Sequence, residues 1–234
     1  MVDPNPFQAD PSAIGGIAKA PYGLTPDPKR LFARRAERFR ALAPGHALAP
    51  YLTFLADLAE IQSDIARDMP APAPVSLEQR AQAQAGAMPP IDRAALAEVP
   101  ELPPLLDALF DAAGAIAMPP PARAALDLAR AADAATRGAM AGNVLADAIP
   151  FDALAPHLFV AAGTQVLAAR VAAQLDAAAL VPVSTGVCPA CGGPPLASVV
   201  VGFMGAEGAR YALCATCATS WNEVRVKCLA CGST

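Results

Sequence analysis

The sequence is poor in aromatic residues and has no cysteine before position 188. Aromatic residues make up 5% of the chain, and β-branched residues are sparse until about Val199, so most of the chain disfavours β-strands. Alanine, the residue with the highest helix propensity, is abundant instead. The composition predicts a mostly helical body, and 234 residues suffice for one full core and one small appended domain.

The sequence also lacks the motifs of common enzyme classes. It contains no phosphate-binding glycine loop, no zinc-protease helix motif and no nucleophile elbow. His46 and His157 each stand apart from any cysteine or carboxylate motif, so we expect them to cap or pack. A net charge of −4 argues against a nucleic-acid-binding protein. Because the first residues show no basic stretch followed by an apolar run, we expect a protein that stays in the cytoplasm.

Apolar residues recur at helical spacing between proline-rich turns, as in an amphipathic bundle. Asp27-Pro28 is typical of a helix start, and Ser76 of another. The charge-free stretch Ala153 to Ala169 is short for a membrane span and predicts a buried helix. We expect five to seven helices, drawn from residues 28–42, 47–68, 77–87, 92–99, 105–117, 123–148 and 151–180.

The pattern changes after residue 187, where a strand at 196–203, a turn at 205–208 and a returning strand at 209–213 predict a β-hairpin. The predicted fold class is therefore mainly α, a helical bundle followed by a small rubredoxin-like or zinc-ribbon β-hairpin domain. The expected organisation is a flexible Pro/Gly-rich arm (1–27), a helical domain (28–181), a rubredoxin-like four-cysteine domain (188–224) and the start of a second such unit (225–234).

All six cysteines occur as Cys-x-x-Cys pairs, the spacing typical of metal sites in a reducing compartment. Two pairs joined by a hairpin can place four thiolates around one tetrahedral ion. The first two pairs, Cys188/Cys191 and Cys214/Cys217, have a 22-residue separation that suits this arrangement. Gly192 suits the positive φ of such a turn. Four protein ligands leave no open coordination position, which argues against hydrolytic catalysis.

The third pair, Cys228/Cys231, has no fourth pair to complete a second site. Three explanations stand open: the chain is a fragment, another subunit completes the ion as in a homodimer, or the pair is a redox-active dithiol. The first is the simplest. A site made from the second and third pairs ranks behind the first arrangement, because only ten residues separate Cys217 from Cys228. Thiolates accept both iron and zinc, so the spacing leaves the metal open.

Two stretches of the sequence resemble the formate dehydrogenase accessory family, FdhE. The first is LFARRAERFRALA at 31–43, followed by YLTFL at 51–55 and AEIQ at 59–62. The second comprises CPACG at 188–192, RYALC at 210–214, Trp221 and VRVKCLACG at 224–232. The last string is the most specific part of the resemblance, which spans about residues 25 to 234.

The resemblance implies a helical N-terminal domain followed by two small rubredoxin-like units with four cysteine pairs. It implies iron held by Cys188, Cys191, Cys214 and Cys217, with Cys228 and Cys231 as half of a second site. It further implies a non-enzymatic role in the cytoplasm, in which the protein contacts the catalytic subunit of respiratory formate dehydrogenase and assists its maturation. A zinc-ribbon adaptor or nucleic-acid-binding protein with structural zinc is the alternative, and a thiol oxidoreductase ranks below it.

Overall fold

The computed structural model describes residues 20–202 and 206–233, within which the chain is about half helical. The described part contains seven α-helices: α1 (Pro28–Leu42), α2 (Ala49–Asp68), α3 (Leu77–Ala85), α4 (Leu102–Ala113), α5 (Pro120–Ala131), α6 (Ala134–Leu145) and α7 (Leu154–Ala172). It also contains four strands: β1 (Gly23–Leu24), β2 (Pro195–Val200), β3 (Arg210–Cys214) and β4 (Ser220–Glu223). The predicted fold class is confirmed, a helical bundle followed by a small sheet with clustered cysteines.

Helix starts follow the local capping chemistry closely. The Asp27 side chain accepts a hydrogen bond from the Lys29 backbone N–H, and Pro28 fills the first helical position of α1. Ser76 and Gln79 form a reciprocal capping box at the start of α3. Both helix starts are therefore confirmed where the sequence placed them.

The prediction of a single helix over 123–148 is wrong, because the helix is interrupted between α5 and α6. Ala132 is extended, with ψ at 141°. The Asp133 carboxylate then caps α6 by accepting a hydrogen bond from the Thr136 backbone N–H. An N-cap residue inside an alanine-rich run thus started a new helix. The helix expected at 92–99 is likewise wrong, since its centre forms only a 3-10 turn at Ala94–Ala97.

Helix α7 is the centre of the bundle and packs against α2, α4, α5 and α6. A Cβ atom built on its Gly163 would lie 2.5 Å from Leu106 Cδ2, so α4 and α7 approach closely there. The segment Phe151–Ala172 is long and apolar enough to cross a membrane by composition, but 67% of its most apolar window is buried. The predicted buried helix at 153–169 is therefore confirmed.

The sheet has the order β1-β4-β3-β2 and its paired strands are antiparallel. The hairpin expected near 196–213 corresponds to β2 and β3, although its expected turn lies partly outside the described residues. Strand β1, whose Gly23 pairs with Trp221, was not anticipated. It belongs to the segment 1–27 predicted to be a flexible arm, of which residues 1–19 lie outside the described part.

The helical body and the sheet share one continuous core. The Ile91 N–H donates to the carbonyl of Ala190 at 3.0 Å, which joins the loop before α4 to the first cysteine turn. Trp221 is fully buried and belongs to the same packed cluster as the helical core residues. The cysteine-bearing segment therefore rests on the bundle rather than projecting from it.

Candidate metal centre

Four cysteine sulfurs from two Cys-x-x-Cys turns converge beside the end of β3. The Sγ atoms of Cys188, Cys191, Cys214 and Cys217 all lie within 4.8 Å of one another. Cys188 Sγ stands 3.7 Å from Cys217 Sγ, and Cys191 Sγ stands 3.5 Å from Cys214 Sγ. In a tetrahedral site with metal–sulfur bonds of about 2.3 Å, neighbouring sulfurs are about 3.8 Å apart. The four side chains thus have the spacing of a tetrahedral thiolate site.

The backbone of the first cysteine turn explains how two sulfurs come to face inward. The Gly192 N–H donates to the Cys188 carbonyl at 2.9 Å, and the Cys188 N–H donates to the Gly193 carbonyl at 3.0 Å. This closed turn requires a φ of +73° at Gly192, as expected from the sequence for a glycine there. A Cβ atom on Gly193 would lie 3.2 Å from Cys214 Sγ, so glycine also gives the sulfurs room.

The second cysteine turn repeats this conformation without a glycine. Ala218, the residue after Cys217, has a φ of 58°. The left-handed conformation costs an alanine about 1–2 kcal/mol, which the surrounding packing has to offset. The N–H groups of Thr216 and Cys217 point at Cys214 Sγ, at 3.4 and 3.5 Å. Such amides stabilise a charged sulfur, as expected for a metal-binding turn.

In the protein alone, the surroundings raise the pKa of three of the four thiols and lower the pKa of the fourth. Burial raises the pKa of Cys217 well above its usual value, and the hydrogen bond with Cys188 raises the pKa of Cys191. The hydrogen bond with Cys191 lowers the pKa of Cys188, but those with Cys214 and Cys217, together with burial, raise it overall. Hydrogen bonds from the other three sulfurs lower the pKa of Cys214. Four thiolates in this buried space would therefore require a cation.

Residues outside the cysteine pairs complete the surroundings. Thr219 is fully buried with its Oγ1 atom 3.2 Å from Cys217 Sγ, a contact that was not anticipated from the sequence. Burial and the nearby Glu223 and Cys188 raise the pKa of Tyr22 to about 12. Trp221 donates from Nε1 to Glu223 at 2.9 Å. The tryptophan thus packs in the core while its polar edge stays satisfied.

The third pair is folded like the first but lies apart from the four-sulfur group. The Cys228 N–H donates to the Ser233 carbonyl at 2.7 Å, and the Gly232 N–H donates to the Cys228 carbonyl at 2.9 Å. Cys228 and Cys231 are both exposed, whereas the other four cysteines are buried. Within the described residues, the structure therefore favours the first and second pairs as partners over the second and third.

The arrangement can hold a metal ion, but its burial gives a substrate little access to that ion. All four sulfurs are buried, and four protein ligands satisfy a tetrahedral ion. The donor set suits zinc and iron alike, because both accept tetrahedral thiolate coordination. The geometry is that of a structural or electron-transfer site rather than a hydrolytic one.

Comparison with known proteins places this architecture in a family. The model of the FdhE N-terminal domain matches residues 20–185, and the model of the FdhE central domain matches residues 187–225. An FdhE homolog of Rhizobium meliloti is 55% identical over 98% of this chain and 75% of its own length. An FdhE homolog of Stutzerimonas stutzeri is 35% identical over 96% of this chain and 74% of its own length.

A solved structure shares the fold as well. The crystal structure of the FdhE protein from Pseudomonas aeruginosa superposes with a TM-score of 0.79 at 34% identity, covering 92% of this chain and 73% of that one. The family models together span the helical bundle and the segment that contains the first two cysteine pairs. The chain therefore belongs to the FdhE family.

Proposed function

We propose that this protein is a cytoplasmic accessory protein that binds the catalytic subunit of formate dehydrogenase and assists its maturation. The proposal rests on membership of the FdhE family together with the closed four-cysteine site. In this role the protein is not an enzyme: the helical body supplies surface for a partner, and the metal centre supplies structure or electron transfer.

The observation that carries the proposal is the burial of all four sulfurs where the sheet meets the helical core. Cys188 and Cys217 are fully buried, and the same packed cluster contains Leu180 from the end of the bundle. An ion held by Cys188, Cys191, Cys214 and Cys217 would join the two cysteine turns to each other at the place where the sheet packs on the bundle. Iron in such a thiolate set would also exchange one electron, whereas zinc would not.

The third pair enters the proposal as half of a second site. Cys228 and Cys231 share the backbone hydrogen bonds of the first pair, so their turn is already shaped for ligation. Two further thiolates would have to come from another pair, in the same protein or in a second copy. Because both cysteines are exposed, this half-site is accessible to such a partner.

Two measurements on protein purified without oxygen test the proposal. The first is metal content with a visible spectrum, comparing the native chain with C188S/C214S and with the matched control C228S/C231S. We expect about one iron per chain, with thiolate-to-iron absorption that C188S/C214S abolishes and C228S/C231S retains. Zinc without colour would assign the site a purely structural role and favour the zinc-ribbon adaptor. If the protein binds neither metal, the assignment of the four cysteines as a metal centre is wrong.

The second measurement is copurification with the catalytic subunit of formate dehydrogenase. We expect the native chain to retain that subunit, and single-stranded nucleic acid to pass through at moderate salt. Retention of nucleic acid in place of the subunit would contradict the accessory role. A disulfide substrate turned over through Cys228/Cys231 would contradict the non-enzymatic assignment.

A further inference from the structure

A wide groove on the surface lies between α1 and the sheet. Its volume is about 730 Å³. One wall is the exposed face of α1, with Arg30, Arg34 and Arg38, and the other contains Leu196 of β2 and Leu213 of β3. The groove is separate from the four-sulfur site, whose cysteines do not line it.

The groove is basic although the protein as a whole is acidic. Arg30, Arg34 and Arg38 are exposed, and within the described residues none of them forms an ion pair with a carboxylate. By contrast, Arg40 on another face of the same helix binds both Asp57 and Glu60. The unpaired charges are therefore concentrated on the groove side of α1.

A fourth arginine, Arg35, adds positive charge to the lining of the groove. Arg35 is partly buried, and its Nη1 atom donates to the Gln165 side chain at 3.0 Å rather than to a carboxylate. Of the two acidic residues in the lining, Asp27 already accepts a hydrogen bond at the start of α1. Accepting this bond leaves the Asp27 carboxylate charged, so two acidic residues, Asp27 and Glu37, stand against four arginines and the net positive charge of the lining attracts anions.

The spacing of the three exposed arginines selects the shape of the anion. Positions i, i+4 and i+8 of a helix follow one face at a rise of about 6 Å per step. Alternate residues of an extended peptide are about 6.6–6.8 Å apart on one side. An extended segment with a carboxylate at every second position would therefore meet Arg30, Arg34 and Arg38 in turn.

The opposite wall specifies the residues between those carboxylates. Leu196 is 68% exposed and lines this wall together with Leu213. Within the described residues β2 is an edge strand with β3 as its one neighbour, so its outer edge has backbone groups open to pairing. Intervening side chains of an extended peptide point away from the arginines, towards this apolar wall.

We propose that the groove between α1 and β2 binds an extended acidic segment of a partner protein, in which acidic and apolar residues alternate. The segment has the pattern acidic–apolar–acidic–apolar–acidic, with the carboxylates on α1 and the apolar side chains on Leu196 and Leu213. Nucleic acid fits the groove less well, because the lining contains no aromatic side chain on which a base could stack.

This inference deepens the proposed function and rests on it where it places the segment in the dehydrogenase catalytic subunit. The direct test uses two labelled synthetic peptides in fluorescence anisotropy against the full chain. One peptide alternates aspartate with leucine and valine over nine residues, and the other has the same composition with its aspartates in one block. We expect tighter binding of the alternating peptide, weakening as salt rises.

The variants isolate the three arginines. R30Q/R34Q/R38Q removes the exposed charges while keeping a good helix-forming residue at each position. The control K29Q/R67Q/R225Q removes the same number of positive charges from exposed positions outside the groove lining. Loss of three exposed charge pairs should weaken the alternating peptide roughly ten- to hundredfold, and the control should bind like the native chain. Thermal melting followed by circular dichroism verifies that both variants are folded.

Several outcomes of these experiments would contradict peptide binding in the groove. Equal affinity for the two peptides, or an unchanged affinity in R30Q/R34Q/R38Q, overturns the groove as a peptide site. Tighter, arginine-dependent binding of a single-stranded oligonucleotide would assign the groove to nucleic acid instead. In copurification, a native chain that retains the catalytic subunit equally well without the three arginines overturns the groove while sparing the accessory role. A native chain that fails to retain the subunit overturns the accessory role, and the peptide result then decides the groove alone.

Discussion

Metal binding by the four cysteines should release protons, and their number follows from the structure. In the protein alone, the pKa values of Cys188, Cys191 and Cys217 are raised and that of Cys214 is lowered. Three thiols therefore keep their protons near neutral pH, whereas an ion bound by four sulfurs requires four thiolates. Zinc binding should displace about three protons per ion, and its affinity should rise up to about a thousandfold per pH unit.

The pH dependence of folding stability differs between the metal-free and the metal-bound protein. Without metal, thiols with raised pKa values stabilise the fold below the unfolded thiol pKa of about 8.5, and this contribution is lost as the pH rises. With metal, protons compete for the sulfurs, so the stabilisation is lost as the pH falls. Removal of the metal should therefore make the free energy of unfolding fall as the pH rises above about 8.5, a range in which metal-bound sulfurs exchange no protons and stability stays level.

Isothermal titration calorimetry with zinc measures the proton count directly. The observed binding enthalpy at one pH, plotted against the ionisation enthalpy of several buffers, has the number of exchanged protons as its slope. We expect a slope of about three for metal-free protein, and the same slope for C228S/C231S because those residues lie outside the group. A slope of one or less would refute the protonation derived for the buried thiols. A smaller slope in C228S/C231S would show that the third pair contributes ligands.

Three further predictions concern other parts of the molecule. Alkylation of Cys231 by iodoacetamide should have a midpoint near pH 7, because the hydrogen bond with Ser233 lowers its pKa to about 7; S233A should raise that midpoint, and an unchanged midpoint would contradict the assignment. G186A would place a Cβ atom 2.1 Å from the Leu229 carbonyl, so hydrogen–deuterium exchange at residues 228–232 should rise. G45A, with the same φ of +72° but open space, should leave that exchange unchanged. F110A removes a fully buried ring and should cost about 3–5 kcal/mol in urea unfolding, whereas F151A, at an exposed position, should change stability by less than about 0.5 kcal/mol; equal effects would contradict the described core.

The features predicted well from sequence are those fixed by nearby residues. The starts of α1 and α3 depend on Asp27 and on Ser76 with Gln79, which act within one helical turn. The first cysteine turn depends on Gly192, which directly follows its second cysteine. The break between α5 and α6 was missed because Asp133 could either cap a new helix or lie exposed within a longer one.

The features missed from sequence depend on residues far apart in the chain. The pairing of β1 with β4 gives a two-residue strand, too short to show a periodic pattern. The basic helix α1 is visible in the sequence, but the apolar wall formed by Leu196 and Leu213 is not. Similarly, the contact of Thr219 with Cys217 has no distinctive spacing, although Thr219 lies just beyond the second pair. Only the folded arrangement brings these groups together.

Strand β1 joins the beginning of the described chain to the sheet that carries the candidate metal centre. Tyr211 donates its hydroxyl to the Pro21 carbonyl at 2.6 Å across 190 residues, and the Asn222 N–H donates to the Tyr22 carbonyl at 2.7 Å. During synthesis, the segment that forms β1 must therefore wait until β4 has left the ribosome before it can pair. Such distant contacts form late and at high entropic cost. Strand β1 can therefore pair with β4 only after the helical body and the first two cysteine turns have been synthesised. We expect this pairing to be the last step in the assembly of the sheet.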